Sequence, residues 1–235
     1  MADAVIIQPP SQDVTAVAEW VAEILRDRIV KGQLGPGARI VERKLSAELD
    51  VSRTPIREAL KLLHADKLIE ISRNKGAQVT QYGPRQALDL FDVIAELESL
   101  AAGRLAQTIT ESDLDNLEDL HAQMLVFRKI GNAEEYFDTN SAIHDAILAL
   151  CGNPILTDAH TKLMARARRG RFMAIMNPDR LNEAIEEHEH LMTALRSRDS
   201  EAARRIWRGH LLHTGRTVAE VLRLAEQALA IGPRP

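Results

Sequence analysis

Residues 51–63 read VSRTPIREALKLL, and this stretch decides what the first third of the chain is. Ser52 is a good residue for capping a helix N-terminus, and Pro55 falls in the first turn, where its missing N–H costs no helical hydrogen bond. The spacing predicts a helix that starts near Arg53. Ile56, Ala59, Leu60 and Leu63 recur three or four apart and form its packing face, while Arg53 and Arg57 lie one turn apart on another. A helix that exposes cations at its N-terminal end suits the DNA major groove, where arginine makes bidentate contacts to guanine or clamps a phosphate.

Working outward, Val14, Val17, Val21, Ile24 and Leu25 recur at helical spacing and predict an amphipathic helix over about 13–31, ended by Gly32. The turn Gly35-Pro36-Gly37 leads into Arg39-Ile40-Val41, and Leu45 and Leu49 mark a short helix that closes at Asp50. Downstream, Leu68-Ile69-Glu70-Ile71 and Ala77-Gln78-Val79 flank the polar turn Ser72-Arg73-Asn74-Lys75-Gly76 and predict a hairpin with a basic tip. Short helix, tight turn, exposed-arginine helix and hairpin together make a winged helix-turn-helix.

Net charge is -4, which taken whole argues against a nucleic-acid partner. Read by segment, residues 1–80 carry 12 Lys and Arg against 11 Asp and Glu, and the remainder 18 against 23. Arg53, Arg57, Lys61, Lys67, Arg73 and Lys75 share one short stretch with only Glu58, Asp66 and Glu70, a surface fit to face phosphates. With 235 residues, 45% hydrophobic and 27% charged, the chain has the balance of two globular domains. A single cysteine, Cys151, excludes an internal disulfide and is expected to be a small packing residue in a cytoplasmic protein. The N-terminus has no signal-peptide pattern and no apolar run reaches about 18 residues, so neither secretion nor a membrane span is expected.

The stretch GQLGPGARIVERKLSAELDVSRTPIREALKLLHADKLIEISRNKGAQV, residues 32–79, resembles the winged helix-turn-helix of the GntR family of transcription regulators, and VSRTPIREAL is its most specific part. The resemblance implies that Arg43, Arg53, Thr54 and Arg57 contact double-stranded operator DNA, with Ser52 at the helix cap and Arg73, Asn74 and Gly76 at the wing tip. Lys67, preceded by Asp66, stands where most relatives have glycine and is expected to alter the local turn.

After the linker Gln81-Tyr82-Gly83-Pro84, helical periodicity takes over. Helices are expected at about 84–107, 112–130, 133–151, 154–175, 179–198 and 200–229, separated by Gly131-Asn132, Gly152-Asn153-Pro154 and Asn177-Pro178-Asp179. Short connections make antiparallel neighbours, so the expected fold is mainly α: a winged helix-turn-helix over 13–80 and an antiparallel six-helix bundle over 84–229.

Asn140 and His144 are four residues apart and share a helix face; His188 and His210 come from two later helices. Such a set would suit a divalent transition metal, zinc first, with nickel and manganese as others. By spacing alone a lone histidine is more often a surface or hydrogen-bonded core residue than a ligand. NSAIHDAILALCGNPIL (140–156) and EHEHLMTALRSRDSEAARRIWRGHL (187–211) resemble the metal-binding elements of the FCD ligand domain in the FadR subfamily, and six helices suit its VanR-like branch. Matching Ala194, Asp199 and Ala203 to that pattern selects His188 and His210 as ligands, turns His190 elsewhere and leaves His213 one turn from His210 as a supporting residue. The likeness implies a homodimer, most often a repressor, that senses a small carboxylate beside the metal. An amide at Asn140 leaves the ligand set without negative charge and keeps the metal's full attraction for an anion. Many relatives pair the effector with an arginine on the first bundle helix; the matching position here is Ile94, which leaves Arg104, Arg166 and Arg169 as weak substitutes.

The remaining features read as bland. The run Arg166, Arg168, Arg169 and Arg171 is expected on a solvated or interdomain face, Glu186, Glu187 and Glu189 on an exposed acidic face, and Trp20 and Trp207 in packing or interdomain contacts. Two other readings of the histidines are a metal-dependent hydrolase or isomerase, which lacks an evident general base and leaves VSRTPIREAL unexplained, and a purely structural metal.

Overall fold

The computed structural model describes residues 13–231, with side chains through residue 228. The chain divides into two compact units between Gln81 and Tyr82. Among the described residues no helix is long and apolar enough to cross a membrane.

The first unit holds α1 (Val14–Val30), β1 (Arg39–Ile40), α2 (Glu42–Glu48), α3 (Arg53–Ala65), β2 (Ile69–Ser72) and β3 (Gly76–Val79). Asp13 caps α1 by accepting from the Thr15 N–H at 3.0 Å. The stripe Val17, Val21, Leu25 and Ile29 of α1 joins Ile56, Ala59, Leu60 and Leu63 of α3 in one core, closed by Leu45 and by Ile69, Ala77 and Val79 of the sheet. The sheet order is β1-β3-β2, all antiparallel, with Glu70 opposite Gln78 and Arg39 on its other side. The two-residue β1 is a strand that the sequence pattern left as a turn exit; it is too short for a period-two signal, and its pairing with β3 creates it. Ser52 occupies the N-cap of α3 in an extended conformation but its hydroxyl makes no capping bond.

The second unit is α4 (Pro84–Thr108), α5 (Glu111–Ile130), α6 (Ala133–Leu150), α7 (Pro154–Ile175), α8 (Pro178–Arg196) and α9 (Ser200–Ile231). Asn132, Asn153 and Asn177 cap α6, α7 and α8 with side-chain oxygens, and Gly131 ends α5 in the left-handed conformation at φ 74°. Helix α4 packs chiefly along α9. Their approach needs glycine: a Cβ at Gly215 would stand 2.5 Å from Phe91 Cβ, and Phe91 is fully buried. Close packing of these two long helices sets the floor on which the histidines of α6, α8 and α9 meet.

Candidate metal centre and nucleic-acid interface

His144 on α6, His188 on α8 and His210 on α9 are all buried, and each offers a nitrogen within 4.8 Å of the others'. Their ring centroids lie 5.0–5.7 Å apart, and Trp207, one turn before His210, stacks on it at 4.5 Å with an interplanar angle of 5°. Asn140 sits buried on α6, one turn before His144 and so on its face.

The tautomers follow from what each ring nitrogen faces. His144 Nδ1 lies 2.5 Å from Glu98 Oε2 and donates to it, so the Nε2 lone pair is free; that atom is buried without a partner. His210 Nδ1 lies 2.7 Å from Glu187 Oε2 and donates likewise. Both nitrogens of His188 are buried and unpartnered, and His121 stacks against that ring at 6.1 Å. Burial first, then the charge of Arg171, pushes His144 down to about 3, and burial also lowers His188 and His210. All three rings are therefore neutral near pH 7, the form that ligates a cation.

Glu98 on α4 is the residue the sequence pattern missed. Its Oε2 accepts from His144 Nδ1 and from Trp207 Nε1 at 3.0 Å, and its Oε1 from His160 Nε2 at 2.9 Å. Burial opposes ionisation of Glu98, but His144 and His160 hold its carboxyl well below the ordinary value. Glu187 corrects the expectation of an exposed acidic face: it is largely buried, bridges His210 and His213, and accepts from Arg180 Nη2 at 2.7 Å. Despite the cost of burial, the His210 hydrogen bond and charge, with Arg180 behind, bring it to about 2. His213 thus supports His210 through Glu187, and His190 faces an outer groove of about 530 Å³ lined also by Glu183 and Arg216. Trp207, expected in packing or interdomain contacts, is both the stacking platform for His210 and a donor to Glu98.

The donor set fits a borderline divalent ion. Three neutral imidazoles from three helices converge; the outward nitrogens of His144 and His210 are fixed by carboxylates, and Nε2 of His144 and both nitrogens of His188 are orphans that burial makes costly, by about 1–3 kcal/mol each.

Of the arginines, Arg171 departs from expectation. Arg104 is exposed and donates from Nε to the Cys151 carbonyl at 3.0 Å; Arg166 and Arg169 act on Tyr82. Arg171, placed by its sequence neighbours on a solvated face, is instead 4% exposed, and its charge is felt by all three triad histidines. Arg171 falls on the buried stripe of α7, one turn from both Ala167 and Ala174, whereas Arg168 lies at the edge of that stripe.

In the first unit, Arg43, Ser52, Arg53, Thr54, Arg57, Arg73, Asn74 and Gly76 are all exposed. Pro55, Ile56, Ala59, Leu60 and Leu63 anchor α3, which leaves Arg53, Thr54 and Arg57 on the open side. Arg57 Nε rests 2.9 Å from Glu42 Oε2 of α2. Arg73, Asn74 and Lys75 form the hairpin tip, with the Lys75 N–H donating to Ser72 Oγ at 3.2 Å and Gly76 at φ 70°.

Comparison with known proteins accounts for both units. Residues 17–79 match the model for bacterial regulatory proteins of the gntR family, and residues 89–213 match the FCD domain. The chain is 29% identical over 182 residues to the HTH-type transcriptional regulator McbR of Escherichia coli K12, covering 77% of this chain and 82% of that protein. It is 27% identical over 206 residues to the transcriptional repressor RspR of the same organism, covering 87% and 90%. The solved structure of E. coli McbR superimposes with a TM-score of 0.73 at 25% identity, covering 93% of this chain and all of that one. These relatives are regulators and not enzymes. The chain belongs to the FCD-containing, FadR-type branch of the GntR family and is a DNA-binding transcription regulator.

Proposed function

We propose that the protein is a cytoplasmic, homodimeric repressor that binds a palindromic operator and senses a small organic acid beside a divalent metal, zinc first among the candidates. The observation that carries the sensing half is the buried His144, His188 and His210 cluster, with Nδ1 of His144 and of His210 each taken by a carboxylate. Those three residues and Asn140 would hold the metal, which when bound supplies a Lewis-acidic anchor for a carboxylate. Glu98 and Glu187 orient the rings, and Trp207 keeps water from one face of His210. The six helices of the second unit support a VanR-like assignment.

In the DNA-binding half, Arg53, Thr54 and Arg57 enter the major groove at the start of α3, Ser52 and Arg43 meet the backbone, and Arg73, Asn74 and Gly76 place the wing. Two copies related by a two-fold axis would read two half-sites, and the acid shifts DNA affinity by binding one arrangement better than the other. Replacing Arg53 and Arg57 by alanine should abolish operator binding while helicity and metal content stay unchanged; unaltered operator affinity would overturn the assignment. A thermal-shift screen of small carboxylic and sugar acids, with and without chelator, tests the sensor: stabilisation that requires metal supports it, and chelation that lowers stability without altering acid binding favours a structural metal instead.

A further inference from the structure

Arg171 is a buried cation without an ion-pair partner among the described residues. The residue is 4% exposed, Nη1 donates only to the Met164 thioether at 3.7 Å, and Nη2 has no partner. No carboxylate lies within ion-pair distance among the described residues; Glu98 and the exposed Asp145 act on it only from further off, and the buried Glu98 and largely buried Glu187 are committed elsewhere. Glu98 spends both oxygens on His144, His160 and Trp207; Glu187 spends its own on His210, His213 and Arg180. The Tyr136 hydroxyl, on the adjoining α6, is also buried and unpartnered, as is Ser141 Oγ. Leaving a guanidinium in the interior without an ion-pair partner is strongly unfavourable, so a ligand that completes it is the economical explanation.

We infer that Arg171 is the anchor for a second acidic group of the effector, which is a compact diacid whose first carboxylate faces the histidine cluster. The inference rests on the metal-and-acid reading above. With a divalent ion on neutral ligands, the core carries two positive charges from the ion and one from Arg171, against the single negative charge of Glu98; Arg180 and Glu187 cancel. A dianion neutralises that excess, whereas a monoacid leaves Arg171 unmatched. The planar guanidinium presents a fork for a carboxylate, which lysine does not.

The test uses zinc-loaded full-length protein and calorimetric titration of malonate, succinate and glutarate against their chain-matched monoacids propionate, butyrate and pentanoate. At least one diacid is expected to bind about tenfold or more tightly than its monoacid. In Arg171→Met this preference should vanish while monoacid affinity and zinc content are retained, and Arg171→Lys should recover only part of it. Ligand-free Arg171→Met should melt at a higher temperature than the parent, because an unpaired buried charge has been removed. Equal binding of diacid and monoacid by the parent protein, or a preference that survives Arg171→Met, overturns the inference while metal-dependent monoacid binding keeps the sensor reading. No binding of any acid, or binding indifferent to chelator, sinks both. Should Arg171→Met fail to fold, the diacid-to-monoacid ratio of the parent and Arg171→Lys decides.

Discussion

Glu98 and His144 are joined by a 2.5 Å hydrogen bond from imidazole Nδ1 to carboxylate Oε2, with both side chains completely excluded from solvent. The bond fixes which ring nitrogen faces inward and holds the ring against rotation.

Glu98→Gln removes the charge that raises the ligand's basicity and leaves an amide to satisfy three N–H donors. Metal affinity, measured by competition with a chromogenic chelator, should fall about 10–100-fold with the helical content intact. Unchanged affinity would show that Glu98 serves packing alone.

Acid should destabilise the metal-free protein. His144 takes a proton in the folded state only near pH 3, whereas the unfolded ring does so near pH 6.5, so between these values the unfolded chain binds the extra proton and stability falls as pH falls. Chelator-treated protein is expected to lose at least about 1 kcal/mol between pH 7.5 and 5.5, read by urea denaturation, with a loss up to about 1.4 kcal/mol per pH unit for each such histidine. A flat profile across that window would contradict neutral buried imidazoles.

Glu42 holds Arg57 at 2.9 Å in the free protein and sets a negative charge beside the DNA-facing helix. Both side chains are substantially exposed, so the pair is weak; Glu42→Gln should raise operator affinity roughly two- to fivefold at low salt, less at high salt, by fluorescence anisotropy. A loss of affinity would mean that Glu42 instead positions Arg57 for its contact.

Lys67 adopts φ 60°, the left-handed region where a Cβ is disfavoured. Lys67→Gly should relieve this and stabilise the first unit by about 0.5–1 kcal/mol in thermal or urea melts, with DNA binding little changed. A decrease in stability would show that the lysine stem contributes contacts outweighing the strain.

Much of this protein was legible in its residues. The 3.6-residue period of Ile56, Ala59, Leu60 and Leu63 placed α3 and left Arg53 and Arg57 outside, and Asn132, Asn153 and Asn177 announced helix starts, because both signals are local. The four-residue step from Asn140 to His144 was equally plain. What surrounds the histidines was not. Glu98 meets partners 46, 62 and 109 residues away, and Glu187 meets His210 after 23.

The sequence by itself determined that a helix starting at Arg53 carries a cationic open side and that three histidines sit on three bundle helices, since periodicity and capping act within one or two turns. Only the tertiary structure decided that Glu98, Glu187, Trp207 and Arg171 turn inward to meet them. A charged residue on a helix reads as solvent-facing until the neighbouring helices fix its phase, and in this bundle the packing of α4 on α9, with α6, α7 and α8 closed over it, is what converts Glu98, Glu187 and Arg171 from surface pattern into buried chemistry.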